Sequence, residues 1–119
     1  SNKIVVLYID LDHFKRINDT LGHDVGDELL ITTAKRITSS LRGNDLAARL
    51  GGDEFVVMLV DIEGEQIESV TDRIFKLINK PIMFDNHEVY ITCSMGICIY
   101  PDDGGKIERL LKNADMALY

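Results

Sequence analysis

The sequence predicts an α+β domain, a mainly antiparallel central sheet flanked by helices. Three observations carry this expectation. The run Ile4-Val5-Val6-Leu7-Tyr8-Ile9 is continuously apolar and rich in β-branched residues, as in a central strand covered on both faces. Two helix-like segments follow it. Two strand-like runs then meet at Gly51-Gly52 and read as a hairpin. The whole order reads β-α-α-β-β-α-β-β-α, with no internal repeat, low-complexity tract or linker. A length of 119 residues is that of one domain, and an apolar content of 45% suffices for one core.

After the first strand, Asp10-Leu11-Asp12 places acids at its end, and His13 to Asn18 reads as a short helix. Leu21-Gly22-His23-Asp24 is a break. Val25, Leu29, Leu30, Ala34, Ile37 and Leu41 then recur at spacings of three and four, one face of an amphipathic helix. Asp24 is its expected N-cap, Asp27 and Glu28 sit in its first turn, and Gly43 is placed to end it. The hairpin strands are Asp45 to Leu50 and Phe55 to Val60. Beyond an acidic loop from Asp61 to Glu65, Ile67, Val70, Ile74, Leu77 and Ile78 mark a third helix that stops before Pro81. Pro81 to Phe84 and Val89 to Thr92 form a second hairpin around Asp85-Asn86, and the strand pattern continues from Cys93 to Tyr100. Ile107, Leu110, Leu111, Ala114, Ala117 and Leu118 give a final helix.

The formal net charge of −7 argues against a bare nucleic-acid surface, which is normally basic. No apolar run is long enough to cross a membrane, and the chain enters its first strand without a signal-peptide pattern. The expected location is therefore cytoplasmic, including the cytoplasmic part of a membrane-anchored protein. Cys93 and Cys98 lie five positions apart in a strand, so they point to opposite faces; neither a disulfide nor a zinc pattern is expected of them.

The chemistry concentrates in two acidic clusters, Asp10 with Asp12 and Asp53 with Glu54. If the first strand pairs beside the hairpin, these carboxylates converge at one end of the sheet. Converging carboxylates repel unless a cation neutralises them, and hard oxygen ligands suit Mg²⁺ or Mn²⁺. A metal-dependent nucleotide site is one reading. Helix-capping aspartates and a solvated acidic turn are the other.

Three motifs taken together resemble one family. They are Asp10-Leu11-Asp12-His13-Phe14-Lys15-Arg16-Ile17-Asn18-Asp19, Gly22-His23-Asp24-Val25-Gly26-Asp27 and Gly51-Gly52-Asp53-Glu54-Phe55. In order and spacing they resemble the GGDEF-domain diguanylate cyclases, and Leu110 to Tyr119 is similar to that family's final helix. The resemblance covers essentially the whole chain, read as a single GGDEF-like domain over residues 1–119. It implies a fold similar to the polymerase palm and the nucleotidyl cyclases. It also implies condensation of two GTP into cyclic di-GMP with release of pyrophosphate, across a homodimer in which each domain holds one GTP.

The resemblance implies roles residue by residue. Asp10, the Leu11 carbonyl, Asp53 and Glu54 would hold the metal, and Asp53 would accept the 3′-hydroxyl proton. Lys15 would stabilise the transition state. Asn18 and Asp27 would read guanine, an apt pair because a carboxylate accepts from N1–H and the 2-amino group while an amide pairs with the base edge. His23, Gly51, Gly52 and Lys112 would contact substrate. Arg42 and Asp45, with Arg73 on the third helix, match the family's product-inhibition site; the plainer reading is an Arg42–Asp45 surface pair of small energetic weight.

The departures are at the ends. The family's usual N-terminal helix and its C-terminal basic segment are missing, apart from Lys112, so the chain reads as a domain body trimmed at both ends. Attached sensor and phosphodiesterase domains are expected partners, since Ala47-Ala48-Arg49-Leu50 resembles the wording of such composite proteins. The alternative function is a non-catalytic GTP- or cyclic di-GMP-binding regulatory module. An interaction domain that uses only its helical faces is the remaining reading.

Overall fold

The structure, a computed structural model, describes residues 3–100. The predicted final helix and Lys112 lie outside the described residues. The elements are β1 (Ile4–Leu11), α1 (Phe14–Leu21), α2 (His23–Ser39), β2 (Leu46–Gly51), β3 (Glu54–Val60), α3 (Gly64–Asn79), β4 (Ile82–Phe84), β5 (His87–Val89) and β6 (Cys93–Tyr100). A four-stranded sheet has the order β2-β3-β1-β6, and each neighbouring pair is antiparallel. The antiparallel α+β architecture expected from the sequence is the one observed.

β1 is central because the run from Val5 to Ile9 is buried on both faces. Val5, Val6, Leu7 and Ile9 are fully buried and Tyr8 nearly so. One sheet face is formed by Val5, Leu7, Ile9 and Leu11, with Phe55, Val57 and Leu59 from β3. It packs with Leu29, Leu30 and Ile37 of α2 and Ile67, Val70, Ile74 and Ile78 of α3. The opposite face carries a smaller cluster of Val6, Tyr8 and Cys98, with Ile4, Val56 and Tyr100 beside it. Cys93 and Cys98 fall in these two different clusters, as their five-residue spacing requires, and both are free thiols. Burial, with a contribution from Asp12, pushes the Cys93 thiol up to about 12, which keeps it protonated and unreactive at neutral pH.

Four local expectations change. α2 begins two residues earlier than its apolar period suggested, and Asp24 lies in its first turn; the cap position belongs to Gly22, which makes no side-chain cap bond. α2 ends at Ser39 with Ser40 as its C-cap, not at Gly43: the Ser40 and Leu41 N–H groups bond back to the Ile37 and Thr38 carbonyls at 3.0 and 3.1 Å, tightening the last turn without a left-handed glycine. The long strand pattern from Val89 onward is broken at residues 90–92. The short β4–β5 hairpin therefore forms its own two-stranded sheet, while β6 joins β1. Asp45 lies just outside β2, whose first residue is Leu46. The Asp85-Asn86 turn is where the sequence placed it, with φ of 45° and 69°, the left-handed pair that a two-residue hairpin turn needs.

α3 is fixed at both ends. Its N-terminus carries a capping box in which Glu63 and Gln66 satisfy each other's backbone N–H. At its C-terminal end the Arg36 guanidinium, reaching from α2, donates to the Leu77, Lys80 and Pro81 carbonyls at 3.0, 2.7 and 3.0 Å. A cation there complements both the orphan carbonyls and the helix dipole. Arg36→Ala is therefore expected to destabilise the fold by about 1–2 kcal/mol, with Arg36→Lys recovering only part because a point charge cannot span three acceptors. Urea midpoints of the three proteins measure this; equal midpoints would remove Arg36 from the account of how α3 is held.

Candidate functional site

The two acidic clusters meet at one end of the β1–β3 ladder. Asp10 is the direct antiparallel partner of Glu54, so both carboxylates project from the same face of adjacent strands. The Leu11 N–H donates to the Asp53 carbonyl at 3.1 Å, which ties the β2–β3 turn to the end of β1. Glu54 also accepts a hydrogen bond from the Tyr8 hydroxyl. Tyr8 lies two residues before Asp10 on the same face, so its ring spans the diagonal of the ladder. Asp12 is engaged differently. Its carboxylate accepts from Thr92 Oγ1 at 2.7 Å and Ser94 Oγ at 2.8 Å, and its N–H donates to the Thr92 carbonyl. Asp12 thus staples the end of β1 to the start of β6.

The glycine turn has a backbone reason. Gly52 has φ of 50° and Gly51 of 150°, and the ladder shifts register between Arg49 and Gly51. The left-handed value at Gly52 is the one that favours glycine most. Arg49 Nε bonds the Gly52 carbonyl at 2.8 Å and braces the turn. Among the described residues, a Cβ at either glycine would meet no atom beyond its chain neighbours within 4 Å, so the turn borders open space.

Next to this end lies the corner between α1 and α2. His13 sits at φ of 57° and swings the chain from β1 into α1. Lys15 is exposed on the first turn of α1, while Asn18 is half-buried. Asn18 Nδ2 and His23 Nδ1 are 3.0 Å apart and hydrogen-bonded. His23 and Asp27 are four residues apart on α2 and share a face. Asp27 also stands at the rim of a groove of about 360 Å³ between α2 and β2, walled by Leu30, Ile31, Ala34, Ala48 and Phe55. Sequence reasoning assigned no role to those walls, to Tyr8 or to Gly26. Gly26 had a signal, since glycine inside a helix is unfavourable without a packing reason.

Arg42, Asp45 and Arg73 gather at the other end of the ladder. Arg42 and Arg73 line a shallow pocket of about 290 Å³ with Glu65, Gln66, Ser69 and Val70. The Arg42–Asp45 contact is more than a surface pair. Asp45 is buried, and its carboxylate accepts from the Arg42 N–H at 2.9 Å, Arg42 Nε at 3.1 Å, Arg42 Nη2 at 3.2 Å and the Val60 N–H at 3.2 Å. Arg42 Nη2 also donates to the Val60 carbonyl at 2.6 Å, so the pair clamps the α2–β2 turn to the end of β3. Burial pushes the Asp45 carboxyl up, but the Arg42 guanidinium and the Arg42 and Val60 N–H donors outweigh it and hold it below its ordinary value. The hydrogen bond from Arg42 to Asp45 in turn raises the guanidinium further.

A carboxyl whose folded pKa is depressed stabilises the fold above its unfolded pKa of about 3.9, and that stability is lost as pH falls through the folded value. Asp45→Asn is expected to cost about 1–3 kcal/mol at neutral pH, where it weakens the contacts to Arg42 and Val60. The difference in urea midpoint between the parent and Asp45→Asn is expected to shrink below about pH 4; a difference undiminished at pH 2 would show that the carboxylate charge is not what stabilises.

The profile described as diguanylate cyclase, GGDEF domain, matches residues 1–119. The chain is 44% identical over 116 residues to the cyclic di-GMP phosphodiesterase NbdA of Pseudomonas aeruginosa, covering 98% of this chain and 15% of that protein. It is 43% identical over 119 residues to the diguanylate cyclase TpbB of the same species, covering 98% and 27%. The crystal structure of the TpbB GGDEF domain superposes with a TM-score of 0.93 at 42% identity, over 99% of this chain and 74% of that one. The GGDEF domain of DgcB from Caulobacter crescentus, solved in complex with c-di-GMP, gives a TM-score of 0.86 at 28% identity, over 99% and 71%. The chain thus spans less than a third of the length of these curated relatives. With the profile matched from end to end and the same fold in solved relatives, the chain belongs to the diguanylate cyclase GGDEF-domain family.

Proposed function

We propose that the full-length protein condenses two GTP molecules into cyclic di-GMP, working as a homodimer in which each domain holds one GTP. The observation that carries this reading is the pairing of Asp10 with Glu54 across the ladder, with Asp53 in the turn tied back to Leu11. In each half-reaction the 3′-oxygen of one GTP bonds to the α-phosphorus of the other. The α–β phosphoanhydride bond breaks, its electrons leave with pyrophosphate, and the Asp53 carboxylate accepts the 3′-hydroxyl proton. Two such steps close the ring. Because the substrate is GTP, the domain is assigned to the cytoplasm; no described helix is long and apolar enough to cross a membrane.

Asp10, the Leu11 carbonyl, Asp53 and Glu54 would hold Mg²⁺ or Mn²⁺. The donors are all oxygen, as a hard cation requires. Among the described residues no three acidic, histidine or cysteine side chains already form a metal-binding group. Phosphate oxygens of GTP would complete the shell, the usual arrangement for Mg²⁺. When bound, the ion offsets phosphate charge. The open space beside Gly51 and Gly52 leaves room for the phosphates, and the Lys15 ammonium would neutralise charge there. Tyr8 positions Glu54 through its hydroxyl. Asn18 and Asp27 read the guanine edge, His23 braces Asn18, and the apolar walls of the adjoining groove exclude water from the nucleoside.

Arg42, Asp45 and Arg73 form a product-inhibition site, in which guanidinium groups meet the guanine edges and phosphates of cyclic di-GMP. A second reading has its own support. NbdA is named for the opposite reaction at the same level of identity as named cyclases. On that reading the domain binds GTP or cyclic di-GMP without turnover and regulates an attached phosphodiesterase domain.

The two readings part in one assay. The full-length protein incubated with GTP and Mg²⁺ is expected to form cyclic di-GMP and pyrophosphate. Asp53→Asn, which keeps the turn and removes the charge, is expected to lower the rate by about 100-fold or more. GTP binding without product from a folded dimer would leave the regulatory reading in place. Calorimetry with cyclic di-GMP tests the second site: Arg42→Ala is expected to weaken binding by about tenfold or more, and unchanged affinity would rule out the Arg42 assignment.

A further inference from the structure

We propose that Gly26 is a positioning residue for guanine discrimination: the absence of a side chain there holds the Asn18 carboxamide in its reading position. The inference rests on the base-reading role proposed above for Asn18 and Asp27.

The geometry at this corner is tight. α1 ends at Leu21 and α2 begins at His23, so Gly22 alone separates the two helices. Its φ of 97° makes the sharp change of direction. The Gly22 N–H donates to the Asn18 carbonyl at 2.9 Å, and the Gly26 N–H donates to the Gly22 carbonyl at 3.1 Å. The backbone of Asn18 is thereby fixed one helical turn before Gly22, and that of Gly26 one turn after it. The Asn18 side chain fills the angle between the helices.

Gly26 is buried. A Cβ built on it falls 2.1 Å from Asn18 Oδ1 and 3.0 Å from Asn18 Cγ, with Phe14 Cζ at 3.4 Å. Phe14 and Asn18 are four residues apart on α1, so both project from the face that meets α2. A methyl group at position 26 overlaps both the Asn18 oxygen and, at the limit of contact, its Cγ, so the carboxamide has to move. Its amide nitrogen is bonded to His23 Nδ1 at 3.0 Å, so the added atom displaces the carboxamide from the place where that bond is made. Gly26 and His23 therefore act as two walls. One supplies space and the other a polar partner, and together they fix which way the amide faces. Asp27 follows Gly26 directly, so the same helical turn presents the second reading group.

Glycine is a poor helix former, and alanine raises intrinsic helicity. A glycine that merely filled α2 would be improved by alanine. One that positions Asn18 would not, and its loss would be felt in base selectivity.

The test uses the full-length protein and 3′-deoxy nucleotides, which bind without reacting. Calorimetry compares 3′-deoxyguanosine triphosphate with 3′-deoxyinosine triphosphate, which lacks the 2-amino group, in the parent, Gly26→Ala, Asn18→Ala and the double variant. The expected result is that Gly26→Ala weakens guanine-nucleotide binding by about tenfold, the weight of one good hydrogen bond. It also weakens the preference over inosine, which Asp27 alone then maintains, and it has no further effect once Asn18 is alanine. Nuclear Overhauser contact between the Asn18 amide and the His23 ring is expected to vanish in Gly26→Ala while the thermal midpoint holds. Effects of the two substitutions that multiply independently would overturn the inference, even with guanine preference intact in the parent. A parent with no guanine preference would overturn the base-reading role itself, and this inference with it. If Gly26→Ala does not fold, the double variant decides: folding restored by removing the Asn18 side chain supports the inference, and folding not restored overturns it.

Discussion

The structure depends on the register of β1. The strand is hydrogen-bonded on both sides, to β3 and to β6, and its side chains alternate between a large core and a smaller one. With a side-chain period of two, a slip by one residue would send Val5, Leu7 and Ile9 to the wrong face. The burial of these residues therefore also fixes where Asp10 lies. It projects from the face of Val6 and Tyr8, directly across from Glu54, because Ile9 and Phe55 pair in the core one rung earlier. The acidic end of the ladder is positioned by apolar packing several residues away, and the Tyr8 hydroxyl bond to Glu54 adds a polar link between the two strands there.

Much of the fold was legible in the sequence because hydrophobic period carries it. The uninterrupted run of β1 and the three-four spacing of α2 and α3 each report a burial pattern that only one element type can satisfy. Asp85-Asn86 was readable because few residues accept left-handed φ at both turn positions. The misread details were those decided by partners rather than by period. Asp24 looked like a cap, but Gly22 occupies that position and the chain enters α2 straight from α1. Strand propensity runs through residues 90–92, yet the ladder stops at Val89 and resumes at Cys93, where the Asp12 N–H takes the Thr92 carbonyl.

The site divides in the same way. The residue types and their spacing were visible, and the family resemblance gave them roles. Their supports were not visible. Tyr8 reaches Glu54 from another strand, and Arg36 reaches carbonyls more than forty positions away. Asp45 looked like half of a weak surface pair, yet it is buried and holds the Val60 N–H as well as Arg42. Val60 is the partner of Ile4 at one end of the β1–β3 ladder, and Glu54 is the partner of Asp10 at the other. The two clusters therefore share β3, and the strand rise puts them about 20 Å apart.

Gly26 has a consequence for anyone who would stabilise this domain. A search for weak points in its helices would select it first, because alanine in place of a helical glycine is worth about 0.8–1 kcal/mol in an open position. Here the position is not open: Asn18 already occupies the volume that the methyl group would take. Sites of low intrinsic helicity and sites of tight inter-helical fit coincide at this residue. Stability and selectivity therefore compete for the same few cubic ångströms.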